Sequence, residues 1–337
     1  MKQLTIAAVF GATLLGAANP AAAQNITVAD AFPSGHYLAE EAMKYWMDLV
    51  TEKTDGAVGF TYFPSGQMGA LSDMLDMAAS QVAQVTYVPM SSFSDRLPLT
   101  GVAELPGFFA TAAEGTAAFN TLLDEYLTEK EFVPEGVLPL FGATLPPYQL
   151  ASTVGPITNS EQMEGLRLRT PGGILEIAAD AVGATPVPMG GPDMYAALQR
   201  GTVDATVNAF ASLSSYKLNE LLNAVSDNAS FGTFAFTVVI NQDTFEGFSE
   251  EVRAAMLEAG DETAKHVAQW MDENESTIAE SFASEGVEIY SVPEDVVEEW
   301  QQKLSAVADQ WASRLDSQGM AGSEAVERWE ATIGNAE

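Results

Sequence analysis

LRLRTPGGILEIAADAVGATPVPMGGPDMYAALQRGTVDATV, residues 166–207, is the stretch whose reading decides the fold class. A strand is expected over 166–170, a helix over 173–182, a strand over 185–189, a helix over 193–200 and a strand over 203–207. The apolar positions alternate between a period near 2 and a period near 3.6. That β-α-β-α rhythm predicts a mainly parallel sheet covered by helices. The same rhythm runs upstream. Strands are expected at 26–31, 58–62, 82–88 and 137–144. The helix marked by Leu38, Ala42, Trp46 and Leu49 stops at Thr54-Asp55-Gly56, and further helices are expected near 71–79 and 111–129. The two runs meet near residue 150, after the turn Pro146-Pro147-Tyr148. The expectation is an α/β protein of two lobes. Residues 249–285 contain no proline, and their one glycine before the end is Gly260. A single helix of that length runs about 50 Å at 1.5 Å per residue, long enough to bridge both lobes. Another helix is expected from Pro293 to about 317, and a last one after Gly322.

The chain has 337 residues, of which 47% are hydrophobic, enough for a sizeable core. Acids outnumber bases 47 to 14, for a net charge of −33. Such a surface excludes nucleic acid as a partner and disfavours anionic lipid. There is no cysteine, so thiolate catalysis, disulfides and Cys-ligated metals are ruled out. His36 and His266 are the only histidines. No cofactor, no metal site and no membrane insertion are expected. Met1-Lys2, the apolar run 4–15 and Ala21-Ala22-Ala23 read as a cleavable secretory leader, residues 1–23. The sequences Ser214-Ser215-Tyr216-Lys217 and Ser226-Asp227-Asn228 match two motifs of penicillin-recognising enzymes but lie too close together for that fold, and chance explains them. No nucleophile–base pair stands out.

Cations are scarce, so their positions carry information. Arg167 and Arg169 share one face of the strand 166–170, with Leu166 and Leu168 on the other. Arg169 sits at the carboxyl end, just before Pro171-Gly172-Gly173 opens a helix. Ligands of open α/β sheets bind beyond those strand ends, and a helix N-terminus there favours an anion. A guanidinium at that point suits bidentate capture of a carboxylate. It suits equally an internal pair with one of the many acids, and the residues alone leave both readings open.

The run Glu164-Gly165-Leu166-Arg167-Leu168-Arg169-Thr170-Pro171 resembles a signature of TRAP transporter solute-binding proteins of the DctP type. Two further elements do so in order: Thr54-Asp55-Gly56 with Phe63-Pro64-Ser65-Gly66-Gln67-Met68-Gly69, and Tyr195-Ala196-Ala197-Leu198-Gln199-Arg200-Gly201-Thr202-Val203-Asp204. The resemblance spans essentially the whole chain after the leader. It implies a bilobal periplasmic binding protein that is not an enzyme. Such a protein closes by a hinge around a small organic acid or zwitterion and delivers it to the membrane permease subunits of a TRAP transporter. It implies that Arg169 pairs with the ligand carboxylate and that Asn208 matches the family's asparagine. Ala205 and Ala209 depart from the family pattern. Gly155 and Gly191 stand where sialic-acid-binding members carry an arginine and an aromatic, which points away from that ligand. Position alone nominates Phe32, His36, Tyr87, Tyr148, Phe210 and Phe231 as further wall residues, though each could be plain core. The lobes are expected at 24–151 with 234–272 and at 152–233 with 273–337, in a monomer. The alternative is a secreted hydrolase-like enzyme on the same frame.

Overall fold

A computed structural model describes residues 24–335, so the expected leader, residues 1–23, lies outside the described residues. The described residues form two sheets. The first has the order β2-β1-β3-β10-β4 and is built from β1 (Gln24–Ala29), β2 (Val58–Phe63), β3 (Val85–Pro89), β4 (Val137–Thr144) and β10 (Ala235–Asn241). The second has the order β11-β9-β5-β8-β6-β7. Its strands are β5 (Gln149–Ser152), β6 (Arg167–Thr170), β7 (Thr185–Pro188), β8 (Ala205–Asn208), β9 (Ala224–Ser226) and β11 (Glu288–Tyr290). In each sheet a single strand runs against all the others: β10 in the first and β5 in the second. Each reversed strand is the one the chain enters on crossing from one sheet to the other. The β-α-β rhythm therefore yields parallel neighbours everywhere except at the two strands entered by a direct extended crossing; β11, entered by way of a long helix, is parallel to β9.

The two crossings lie side by side. The Leu145 N–H donates to the Phe234 carbonyl at 2.9 Å, and the Tyr148 N–H to the Gly232 carbonyl at 2.8 Å. They form a two-stranded ribbon between the sheets, with its backbone groups paired as burial demands.

The long helix is one piece, Glu250–Ser284, 35 residues, capped by Ser249, whose hydroxyl accepts the Val252 N–H. Gly260 is needed where the helix crosses β4, because a Cβ there would collide with the Leu140 carbonyl. One turn of this helix touches both halves of the molecule. Asp272 accepts the N–H groups of Ala112 and Ala113, at 2.8 and 2.9 Å, at the start of the helix Ala112–Leu122 beside the first sheet. Glu275 accepts those of Phe210 and Ala211, also at 2.8 and 2.9 Å, at the start of the helix Phe210–Ser215 beside the second. Both carboxylates satisfy orphan donors of a helix N-terminus. The helix Glu294–Ser317 packs on Ile174–Ala181 of the second half. The last helix, Gly322–Asn335, returns to the first half, because the buried Trp329 finds its aromatic neighbours Phe108 and Phe109 there, at 6.5 and 6.2 Å. The last helix thus packs both on Ala112–Leu122 beside the first sheet and on Glu294–Ser317.

Candidate functional site

Five chain segments bring their carboxyl ends or crossings to one place between the sheets. β1 stops at Ala29 because Asp30 turns the backbone: its Oδ1 accepts the N–H groups of Phe32 at 3.0 Å and Ser65 at 3.3 Å, while Tyr62 donates to Oδ2. That turn delivers Phe32 and His36. β3 delivers Tyr87, the first crossing Tyr148, β6 Arg169 and β8 Asn208. These six side chains line one cavity of about 50 Å³.

Arg169 is 3% exposed. Its Nε and Nη2 donate to the Met189 carbonyl at 3.1 and 2.7 Å, and Nη1 makes no hydrogen bond among the described residues. No acidic side chain forms an ion pair with it among the described residues, and none lines the cavity. Burial lowers its pKa to about 10, so it remains a cation at neutral pH. Arg167, two residues earlier on the same strand, takes the other reading. It is exposed and ion-paired to Asp204 at 2.5 Å.

His36 is buried, and burial lowers its pKa to about 3, so the ring is neutral. It stacks on Phe32, with centroids 4.5 Å apart, and meets Tyr216 edge-on at 4.8 Å. Tyr87 packs edge-on against Phe32 at 4.4 Å. Burial holds the Tyr87 and Tyr148 hydroxyls well above their ordinary range, so both stay protonated and can donate. Asn208 accepts the Ala209 N–H on Oδ1 at 3.0 Å and turns Nδ2 toward the Met194 sulfur at 3.6 Å.

Two expected wall residues are not in this cavity. Phe210 packs against Phe282 at 5.9 Å in the apolar core of the second half, because its backbone N–H is drawn to Glu275. Phe231 lies on the crossing ribbon and packs against Trp300 at 5.4 Å. Both are core.

The residue that sequence reading missed is Tyr216. A Cβ at Gly191 would collide with its hydroxyl and ring, so the glycine is what admits this tyrosine to the cavity wall. The position where some family members carry an aromatic is left bare, and the aromatic arrives from another element. Tyr216 also lines an outer groove of about 650 Å³ with Pro33, Ser65, Tyr195 and Lys217, so with Ala31 and Pro192 it forms the partition between groove and cavity. Across the cleft, Gly172 and Gly173 approach the backbone of Ser91, where a Cβ on either would stand 3.3 Å from main-chain atoms. The two halves are in contact over the site. Among the described residues no three His, Asp or Glu side chains gather as a metal site, and no helix is long and apolar enough to cross a membrane.

The model of the bacterial extracellular solute-binding proteins, family 7 (DctP), matches residues 28–314. The chain belongs to that family. Among its relatives is the C4-dicarboxylate-binding periplasmic protein DctP of Rhodobacter capsulatus, 25% identical over 96% of this chain and 98% of the relative. Another is the ectoine-binding periplasmic protein TeaA of Halomonas elongata, 24% identical over 98% and 96%. Among solved structures, the fold matches a TRAP solute-binding protein of Rhodoferax ferrireducens in complex with benzoate. Its TM-score is 0.86 and its identity 19%, covering 93% of this chain and 98% of that one. It also matches one from Bordetella bronchiseptica with bound mandelate, with a TM-score of 0.84 and 22% identity over 93% and 100%. The family fixes the class: a solute-binding protein of the TRAP transporter type, a substrate-binding component and not an enzyme. The hydrolase alternative is overturned. Proteins of this type bind small organic acids and work with membrane permease subunits, and relatives are named periplasmic.

Proposed function

We propose that this solute-binding protein captures a small organic carboxylate in the cavity between its two sheets, with Arg169 as the residue that holds it. The observation that carries this reading is a buried guanidinium with no acidic partner. A desolvated charge is costly unless an opposite charge meets it, and the cavity supplies none. An anionic solute completes the pair. Tyr87, Tyr148 and Asn208 add neutral hydrogen-bonding groups, and Phe32 and Tyr216 add flat apolar walls. Support comes from a relative named as C4-dicarboxylate-binding and from similar structures with benzoate, mandelate and pyroglutamic acid as ligands.

In this reading the protein works as a periplasmic monomer, exported by the leader 1–23, and passes its solute to TRAP permease subunits. One lobe is 24–151 with 234–272. The other is 152–233 with 273–337, whose last helix also touches the first lobe. Closure takes place about the crossing ribbon and the long helix. Calorimetry with a panel of organic acids, on the wild type and Arg169→Ala, tests the assignment. Unchanged affinity in Arg169→Ala would refute it. Small-angle scattering with a saturating ligand tests the closure by looking for a smaller radius of gyration than in the free protein.

A further inference from the structure

The ring nitrogens of His36 are in unlike situations. The Leu38 N–H donates to Nδ1 at 3.2 Å, so Nδ1 carries the lone pair. Nε2 is fully buried and has no hydrogen-bond partner. In a neutral imidazole the proton must then sit on Nε2. The ring cannot swing away, because it is held by Phe32 on one side, Tyr37 at 5.0 Å and the edge of Tyr216. A buried donor left unmade is costly, so something that enters the cavity is expected to accept from it. The charge inventory narrows what that is. The cavity holds one cation, Arg169, and no acid. A second carboxylate would meet no second cation, and an ammonium would meet no counter-ion.

We propose that His36 is a fixed neutral donor that selects the solute. The solute is then a monocarboxylate carrying an uncharged oxygen acceptor, a hydroxyl or keto group, that receives the His36 Nε2–H while Arg169 takes the carboxylate. This rests on the carboxylate reading of Arg169. It excludes dicarboxylates and amino acids as the preferred solutes.

The test uses matched probes on the full chain: lactate against propionate, mandelate against phenylacetate, and succinate and alanine as the excluded classes. Calorimetry is run on the wild type, Arg169→Ala, His36→Phe and His36→Gln, each first shown to melt cooperatively. The expected result is that the wild type prefers the hydroxy acid of at least one pair by about tenfold or more, the size of one lost hydrogen bond to a buried donor. His36→Phe should erase that preference while keeping the affinity for the acceptor-free acid, and His36→Gln, which keeps a donor, should restore part of it. Equal binding within both pairs, a preference that survives in His36→Phe, or tightest binding of succinate or alanine overturns the inference and leaves Arg169 in place. Failure of every acid to bind the wild type, or unchanged binding in Arg169→Ala, overturns the carboxylate reading and this inference with it. A ligand-free readout also exists. With only two histidines in the chain, ¹⁵N spectra of the wild type and His36→Phe isolate the His36 ring. It should show a protonated Nε2 and a bare Nδ1 throughout pH 5–8. A titrating ring or the opposite tautomer overturns the proposal.

Discussion

Charge is handled differently in the interior and on the outer surface. Outside, where a cation is held it is held by acids: Lys53 by Glu258 and Glu262, Arg96 by Asp76 and Glu135, Arg167 by Asp204. Inside, ionisable groups are bonded to the backbone. Arg169 is held by the Met189 carbonyl. Glu104 accepts the Ala235 N–H at 3.1 Å, and Glu275 and Asp272 each accept two helix N–H groups. Backbone dipoles orient an ion without neutralising it. An internal salt bridge at Arg169 would oblige the solute to displace an acid, whereas a carbonyl leaves the full positive charge on offer. The two arginines of β6 are the sharpest form of this contrast, since the same residue type two positions apart on one strand has opposite fates.

The largest effect expected separates those two residues. Arg169→Ala should cost about 2–5 kcal/mol of carboxylate affinity, since the anion would be left buried and unpaired. Arg169→Lys should recover only part, because the planar fork is lost. Arg167→Ala should leave affinity unchanged. Equal losses at both sites, measured by calorimetry, would break the comparison.

Next in size is Gly191→Phe, which sets a second aromatic against Tyr216. Overpacking of this kind typically costs about 1–3 kcal/mol, readable in urea unfolding. Gly191→Phe combined with Tyr216→Ala should regain most of it. No recovery in the double variant would mean that the glycine does not serve to admit Tyr216.

The buried acids give a pH effect of unusual sign. Burial pushes Glu104 up to about 8 and Glu275 up to about 7, above the ordinary carboxylate value of about 4.5. Between those values the native state binds protons that the unfolded chain has released, so stability falls as pH rises. The protein should be more stable at pH 5.5 than at pH 8.5, and Glu275→Gln should flatten the slope. A stability that rises across this range would mean that the buried carboxylates are better solvated by their N–H donors than burial suggests.

The smallest effect concerns salt. A net charge of −33 repels an incoming carboxylate at long range, while the contact with Arg169 is enclosed. The Debye length falls from about 8 Å at physiological ionic strength to about 3 Å at 1 M. Added salt should therefore hasten association or leave it unchanged, and should hardly alter dissociation in stopped-flow traces. A steep fall in the association rate would show that the cleft attracts anions from a distance, against the picture of an isolated positive pocket.

Much of this was legible in residue order. The alternation across 166–207 marked β6, β7 and β8 to within one or two residues, and the proline-free run 249–285 marked the long helix. The reversed strands were not read. β5 is only four residues long, and β10 is a short apolar run buried along its whole length, which period alone does not distinguish from other core segments. At the site, scarcity of cations pointed to Arg169, a strand end pointed to Tyr87, and Asn208 came from the family resemblance. Phe210 and Phe231 were misplaced because proximity to a strand end does not say which way a ring turns. Tyr216 was missed because its place depends on an absence, the missing Cβ of Gly191, in a segment 25 residues away. A glycine that departs from a family's aromatic was the available signal.

The partition made by Tyr216 bears on time rather than affinity. Where the lobes close as proposed, a bound solute has Tyr216 between it and the groove beyond. Its residence time is then governed by how often the ring and the lobes part, not by the strength of the solute's own contacts alone. Solutes of quite different affinity would share one ceiling on their escape rate, differing instead in how readily they let the lobes close behind them. A permease that pulls the lobes apart would then unload any of them at a similar speed.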